Sequence, residues 1–241
     1  MGPARTLPVL IVLSVVLILN QNAGAETVAK SGRFGGVTIR YKVILPDRYD
    51  PAQSYPAVLA FAGGPQALNT VESALERNWR REAERRGYVI VSPVAPTNHL
   101  FFEQGADRIF PEFLEQLLRD YKIDRGKFHI AGASNGGLSA FHVAAMHPQY
   151  FRSVTGFPGY LPDEINSRIN ALKPLCIYMH VGERDTEWLI TMQRQSEVFH
   201  ERGFHVRFSV EPEQGHGIQT LAGDGAHRLF DQLEEAVRGC S

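Results

Sequence analysis

Ser134 stands in Gly132-Ala133-Ser134-Asn135-Gly136-Gly137, between a short apolar run at residues 128–131 and a helix-forming stretch at residues 135–146. Strand, turn and helix in that order are the context in which a G-x-S-x-G sequence holds a serine for nucleophilic attack. The chain must reverse within a few residues. That puts the serine in a strained backbone region with its hydroxyl beyond the end of the sheet, and side chains at the flanking glycines would collide with neighbouring elements. The same glycines would equally serve a helix N-terminus that binds an anion or merely turns. A serine hydroxyl is a weak nucleophile near neutral pH. The first reading therefore requires a base within hydrogen-bond reach and a carboxylate to orient that base.

Both occur downstream, in the order serine, acid, histidine that this kind of turn calls for. His216 lies in Glu213-Gln214-Gly215-His216-Gly217, just after a predicted strand at residues 206–210, where flanking glycines let an imidazole approach. Among the nine histidines it is the best placed. His129 and His180 fall in core strands, His227 in a helix, and His200 and His205 at a helix end and a strand start. As an ordinary turn residue His216 would simply face solvent. The acid is expected on the loop after the strand at residues 175–181, where Gly182-Glu183-Arg184-Asp185-Thr186-Glu187 offers three carboxylates. Asp185 is the choice, a short side chain a few residues past the strand, with Glu183 and Glu187 pointing to solvent. It can also cap the following helix. An oxyanion formed at the serine needs preorganised donors. One is the backbone N–H of Asn135 at a helix N-terminus. The other belongs to Ala62-Gly63-Gly64-Pro65-Gln66, where proline has no N–H and Gly64 is the expected donor. Phe101, Phe102 and Trp188 fall near the C-terminal edge of the predicted sheet, either lining an acyl or aromatic subsite or packing into the core.

These residues need a scaffold, and the chain supplies alternating short apolar strands and amphipathic helices. Strands are predicted at residues 37–45, 57–62, 88–91, 128–131, 153–156, 175–181 and 206–210. Helices are predicted at residues 71–86, 106–121, 135–146, 186–202 and 226–237. Continuous apolar strands separated by helices imply a mostly parallel sheet covered on both faces, a three-layer α/β/α sandwich. One domain is expected over residues 26–241. Residues 1–25 read as a signal peptide: Arg5, an apolar run at residues 7–19, and Ala23-Gly24-Ala25 ahead of Glu26. That run falls short of the roughly 20 apolar residues of a membrane span, so the expected product is secreted or periplasmic, without a stable span.

The 241 residues are 44% hydrophobic and 21% charged, with a formal net charge of -1. This excludes a disordered tail, a rod and a multi-span membrane protein, and leaves no overall basic field for nucleic acid. Arg77, Arg80, Arg81, Arg85 and Arg86 are interleaved with Glu72, Glu76, Glu82 and Glu84, which reads as a solvated helix face. The pairs His142/His147 and His200/His205 are five apart and no HExxH occurs, so no metal is expected. Cys176 lies in an apolar run and reads as a buried small hydrophobe; a bridge to Cys240 stays open.

Phe61-Ala62-Gly63-Gly64-Pro65-Gln66, Gly132-Ala133-Ser134-Asn135-Gly136, Gly182-Glu183-Arg184-Asp185 and Gly215-His216-Gly217 together resemble the α/β-hydrolase fold. More narrowly, the chain resembles the small secreted serine esterases related to polyhydroxybutyrate depolymerases and feruloyl esterases, over residues 37–237. One departure is Ala62-Gly63 where many relatives have His-Gly, so the hydrogen bonding of that loop must differ. The resemblance implies two-step acyl transfer on a small or polymeric ester, with no cofactor. A serine peptidase of the prolyl-oligopeptidase type and a non-catalytic binding protein on the same fold are the alternatives.

Overall fold

The computed structural model describes residues 26–96, 101 and 107–240. The segment read as a signal peptide, and Phe102, lie outside them. Eight strands form one sheet: β1 (Thr27–Phe34), β2 (Val37–Ile44), β3 (Ala57–Phe61), β4 (Val89–Pro93), β5 (Phe128–Gly132), β6 (Phe151–Gly156), β7 (Cys176–Gly182) and β8 (Val206–Glu211). Their spatial order is β1-β2-β4-β3-β5-β6-β7-β8. The hairpin β1–β2 and the β2–β4 pair are antiparallel, and every later pairing is parallel. β3, β4, β5 and β7 are buried along their whole length, which is why they read as continuous apolar runs. β1 is an edge strand of half-exposed, largely polar residues, and its sequence carries no apolar signal to predict it.

The helices are α1 (Leu68–Ala74), α2 (Arg80–Arg86), α3 (Phe110–Asp120), α4 (Asn135–Met146), α5 (Thr186–Glu201) and α6 (His227–Arg238). The single helix expected over residues 71–86 is instead α1 and α2 joined by a π-helical turn at Leu75–Trp79, where the N–H of Arg80 reaches the carbonyl of Leu75. Alternate residues of β3 face opposite ways. Ala57, Leu59 and Phe61 join α3, α4 and α5 in one buried cluster, while Val58 and Ala60 join α1, α2 and α6 in another. The two clusters are the two faces of the sandwich. Among the described residues, no helix is long and apolar enough to cross a membrane.

Cys176, at the start of β7, is buried and bridged to Cys240, just beyond α6, with Cα atoms 5.3 Å apart and a sequence separation of 64. The bond ties the last helix to the sheet. In the chain-entropy picture a loop of that length is worth about 4 kcal/mol, and typical bridges deliver 2–4. We expect Cys240→Ser, or reduction of the wild-type protein, to lower Tm by about 5–15 °C. Thermal unfolding followed by circular dichroism with and without dithiothreitol checks this; superimposable melts would contradict it.

Candidate active site

β5 ends at Gly132 and α4 begins at Asn135, so Ser134 occupies the turn between them with φ 56° and ψ −124°. A side chain at Gly132 would overlap the carbonyl of Gly136, and one at Gly136 would overlap the carbonyls of Phe61 and Ala62. The backbones meet too closely for any other residue. The Ser134 N–H donates to the carbonyl of Pro158 at 2.7 Å, and the Ser134 carbonyl accepts from Leu138 at 3.0 Å. Both bonds hold the strained turn in place.

His216 and Asp185 reach this serine from the loops after β8 and β7. His216 Nε2 lies 2.8 Å from Ser134 Oγ, and His216 Nδ1 lies 2.7 Å from Asp185 Oδ2. A carboxylate on Nδ1 fixes the proton there and leaves Nε2 to accept from the serine hydroxyl. Asp185 occupies the N-cap position of α5, yet its side chain makes no capping bond; the carboxylate is given to the imidazole. Trp188, half-buried, stands with its ring centroid 5.0 Å from that of His216 and 5.1 Å from Tyr160.

The two loops are stitched to each other. Arg184 N–H donates to Gln214 O at 2.8 Å, Glu183 N–H to Glu211 O at 3.0 Å, and Glu213 N–H to the Glu183 carboxylate at 2.8 Å. Glu183 is exposed, as expected, and its carboxylate also holds the histidine loop. Beneath the stitching lies a polar cluster that the sequence reading did not anticipate. The buried Glu211 carboxylate accepts from both Arg228 terminal nitrogens at 2.7 and 2.9 Å, from the Thr220 hydroxyl at 3.0 Å and from His180 Nδ1 at 3.0 Å. The hydrogen bond from His180, followed by those from Arg228 and Thr220, holds this carboxyl well below the usual carboxylate range despite its burial.

On the side of the serine away from His216 and Asp185, the loop after β3 brings Gly64 to the same cleft. Gly64 has φ +60° and open space around it. The Asn135 side-chain amide donates to Gly64 O at 3.0 Å, which ties the two expected oxyanion donors into one unit. The loop's altered hydrogen bonding is visible too. Gln66, fully buried with φ 53°, donates from Nε2 to Ala62 O at 3.1 Å and lies 3.2 Å from Ser139 Oγ. Gln66 thus does the bracing for which the Ala62 side chain has no polar atom. Phe101 does not line the cleft. It is fully buried in the core against Phe61 at 5.3 Å and Phe110 at 5.4 Å, because burying an aromatic ring there is worth more than leaving it at a wet edge. The cleft has a volume of about 430 Å³ and opens onto Ser134 and His216, with Arg77, Trp79 and Phe157 among its walls. Among the described residues, no group of three or more His, Cys, Asp or Glu side chains could hold a metal ion.

A family model described as "Esterase: Putative esterase" matches residues 31–224. Dipeptidyl-peptidase 5 of Porphyromonas gingivalis is 29% identical over 129 residues, 48% of this chain and 19% of that protein. Its counterpart in Porphyromonas endodontalis is 26% identical over 129 residues, 48% of this chain and 18% of that protein. The chain thus spans about a fifth of the length of these curated relatives. Among solved structures, a ferulic acid esterase superposes with a TM-score of 0.70 at 18% identity, covering 90% of this chain and 99% of that one. The feruloyl esterase module from Clostridium thermocellum, solved as an S954A mutant complexed with sinapinate, superposes with a TM-score of 0.68 at 19% identity, covering 87% of each chain. These superpositions show the α/β-hydrolase fold.

The Glu211 cluster generates a test. A carboxyl whose pKa is depressed by folding stabilises the protein above its unfolded value, near 4.3, and that contribution is lost progressively as pH falls below it. Glu211→Gln is expected to lower unfolding free energy at pH 7 by roughly 2–3 kcal/mol. That is less than for a fully enclosed pair, because the Arg228 side chain is 39% exposed. The deficit relative to wild type should shrink at pH 3. Urea denaturation at both pH values measures it, and an equal deficit at the two would contradict the assignment.

Proposed function

The chain belongs to the Esterase family, and from that premise we propose that this serine carboxylesterase-type hydrolase works through an acyl-enzyme on Ser134, with His216 as base and Asp185 as its orienting carboxylate. The observation that carries the reading is the unbroken pair of hydrogen bonds from Ser134 Oγ to His216 Nε2 and from His216 Nδ1 to Asp185, at 2.8 and 2.7 Å. In the first half-reaction His216 Nε2 takes the hydroxyl proton as Oγ bonds to the ester carbonyl carbon. The carbonyl oxygen becomes an oxyanion facing the N–H groups of Gly64 and Asn135. Collapse breaks the bond to the alkoxy oxygen, which leaves with the proton from Nε2. In the second half-reaction a water gives its proton to Nε2, its oxygen bonds to the acyl carbon, and the Ser134 Oγ–acyl bond breaks with return of the proton to Oγ. Asp185 stabilises the imidazolium in both halves.

Residues 1–25 act as a cleaved signal peptide in this reading and residues 26–241 as the working domain, released outside the cytoplasm. The Cys176–Cys240 bridge fits an oxidising compartment. The dipeptidyl-peptidase relatives favour a second reading, cleavage of aminoacyl amides by the same three residues, since acyl transfer from an amide uses the same steps with a poorer leaving group.

Ser134→Ala is expected to abolish labelling by a fluorophosphonate probe and to reduce kcat for p-nitrophenyl acetate by about 10⁴- to 10⁶-fold. An unchanged rate would sink the proposal. Dipeptidyl p-nitroanilides assayed alongside separate the readings, and faster turnover of the amides than of matched esters would favour the peptidase.

A further inference from the structure

Five arginines crowd the helical segment from α1 to α2, and four are neutralised. Arg80 pairs with Glu76 and Glu84, Arg81 with Asp224, Arg85 with Glu82, and Arg86 with Glu82, Asp231 and Glu234. Arg77 differs. Among the described residues no carboxylate pairs with it, and its one hydrogen-bonding neighbour is the side-chain oxygen of Asn78, 3.5 Å from Nε. Arg77 also lines the cleft onto which Ser134 and His216 open, and no Asp or Glu is among that cleft's lining residues. Its position follows from the π-helical turn at Leu75–Trp79. Asn78, buried in that turn, donates to Leu221 O at 2.9 Å, which pins the helix to the segment just beyond His216. Trp79 points inward against Phe157 at 6.0 Å. The wall between them therefore combines an apolar floor with a single uncompensated cation at its rim, flanked by the uncharged Asn69, Ser73 and Gln219.

Arg77, without a carboxylate partner, lines the same cleft as Ser134 and His216, and its planar guanidinium fork matches the geometry of a carboxylate. Resting on the esterase reading of Ser134 and His216, we propose that the substrates are esters carrying a free carboxylate, and that Arg77 binds it. An ester with a carboxylate in its acyl part and one with a carboxylate in its alcohol part share this chemistry, and the assay below tells them apart.

Two matched pairs serve as probes. For the acyl side, the p-nitrophenyl monoester of glutaric acid is compared with p-nitrophenyl hexanoate. For the alcohol side, the butyryl ester of 4-hydroxybenzoate is compared with that of 4-hydroxybenzamide. The readout is the ratio of kcat/KM, charged over neutral, in wild type and in Arg77→Gln, Arg77→Lys and Arg77→Glu, with circular dichroism confirming that each variant folds. In one pair the ratio should fall by about tenfold to a hundredfold in Arg77→Gln, the worth of a charge-assisted hydrogen bond. It should recover in part in Arg77→Lys, drop further in Arg77→Glu, and shrink in molar salt. Ratios in both pairs that are the same in wild type and Arg77→Gln, with Ser134-dependent turnover of the neutral esters intact, overturn this inference alone. Absence of Ser134-dependent turnover of any ester overturns the esterase reading and this inference with it.

Discussion

The backbone of one residue constrains the rest of the structure. Ser134, at φ 56° and ψ −124°, sits where a side-chain-bearing residue costs about 1–3 kcal/mol. The turn exists only because Gly132 and Gly136 allow β5, α4 and the end of β3 to approach within backbone contact. That same approach fixes everything the serine needs on its near side. Because Gly136 abuts the carbonyls of Phe61 and Ala62, the loop carrying Gly64 cannot drift from the N-terminus of α4. The amide of Asn135 then closes the remaining gap. A strained turn is tolerated when its surroundings over-determine it, and here the Pro158 carbonyl, the first turn of α4 and the end of β3 all do so.

On the far side the problem is different, since His216 and Asp185 come from loops with no regular secondary structure to hold them. The solution is electrostatic. Glu211 ends β8 just where the histidine loop departs, its backbone carbonyl accepts from Glu183 and Gln214, and its side chain is saturated by His180, Arg228 and Thr220. A buried carboxylate with this many donors cannot rotate or move without leaving a charge unpaired. Such a cluster need not add net stability over an apolar packing of equal volume. What it adds is a fixed point from which two loops are measured, and the imidazole between them inherits that fixity.

The sandwich was legible in the sequence because fully buried strands are mostly apolar, and β3, β4, β5 and β7 are, with Ser92, His129 and His180 as the polar exceptions. Ser134, Asp185 and His216, which the structure brings within hydrogen-bonding distance, could be picked out because a serine–histidine–carboxylate arrangement restricts residue type and chain order together. Elsewhere the sequence underdetermined the outcome. β1 alternates polar residues at an edge and resembles a loop. Phe101 shows that an aromatic residue near a sheet edge says nothing about whether it faces cleft or core, since that depends on the neighbours Phe61 and Phe110. The Cys176–Cys240 bridge depends on where α6 ends in space, which no local pattern encodes. Glu211 and Gln66 are ordinary polar residues until the fold surrounds them.

Arg77 is exposed, as a solvated helix face requires, yet it also lines the cleft, and that placement is written in the sequence in a form that a constant helical period conceals. Val71, Leu75, Trp79 and Ala83 are all buried and are spaced by four. In a regular α-helix each such step overshoots a full turn by about 40°, so three steps would carry Ala83 about 120° away from Val71. Only a helix that widens on the way can keep all four on the core. The π-helical turn at Leu75–Trp79 supplies that widening. It resets the register so that Trp79 stays inward, and the residues it inserts have to go somewhere: Asn78 turns to Leu221 and Arg77 to the cleft. On a uniform helical wheel Arg77 belongs with Arg80 and Arg81 on the face opposite Val71, Leu75, Trp79 and Ala83. The helix packs its core by giving up its regularity at one turn, and that turn leaves Arg77 on the wall of the cleft that Ser134 also lines.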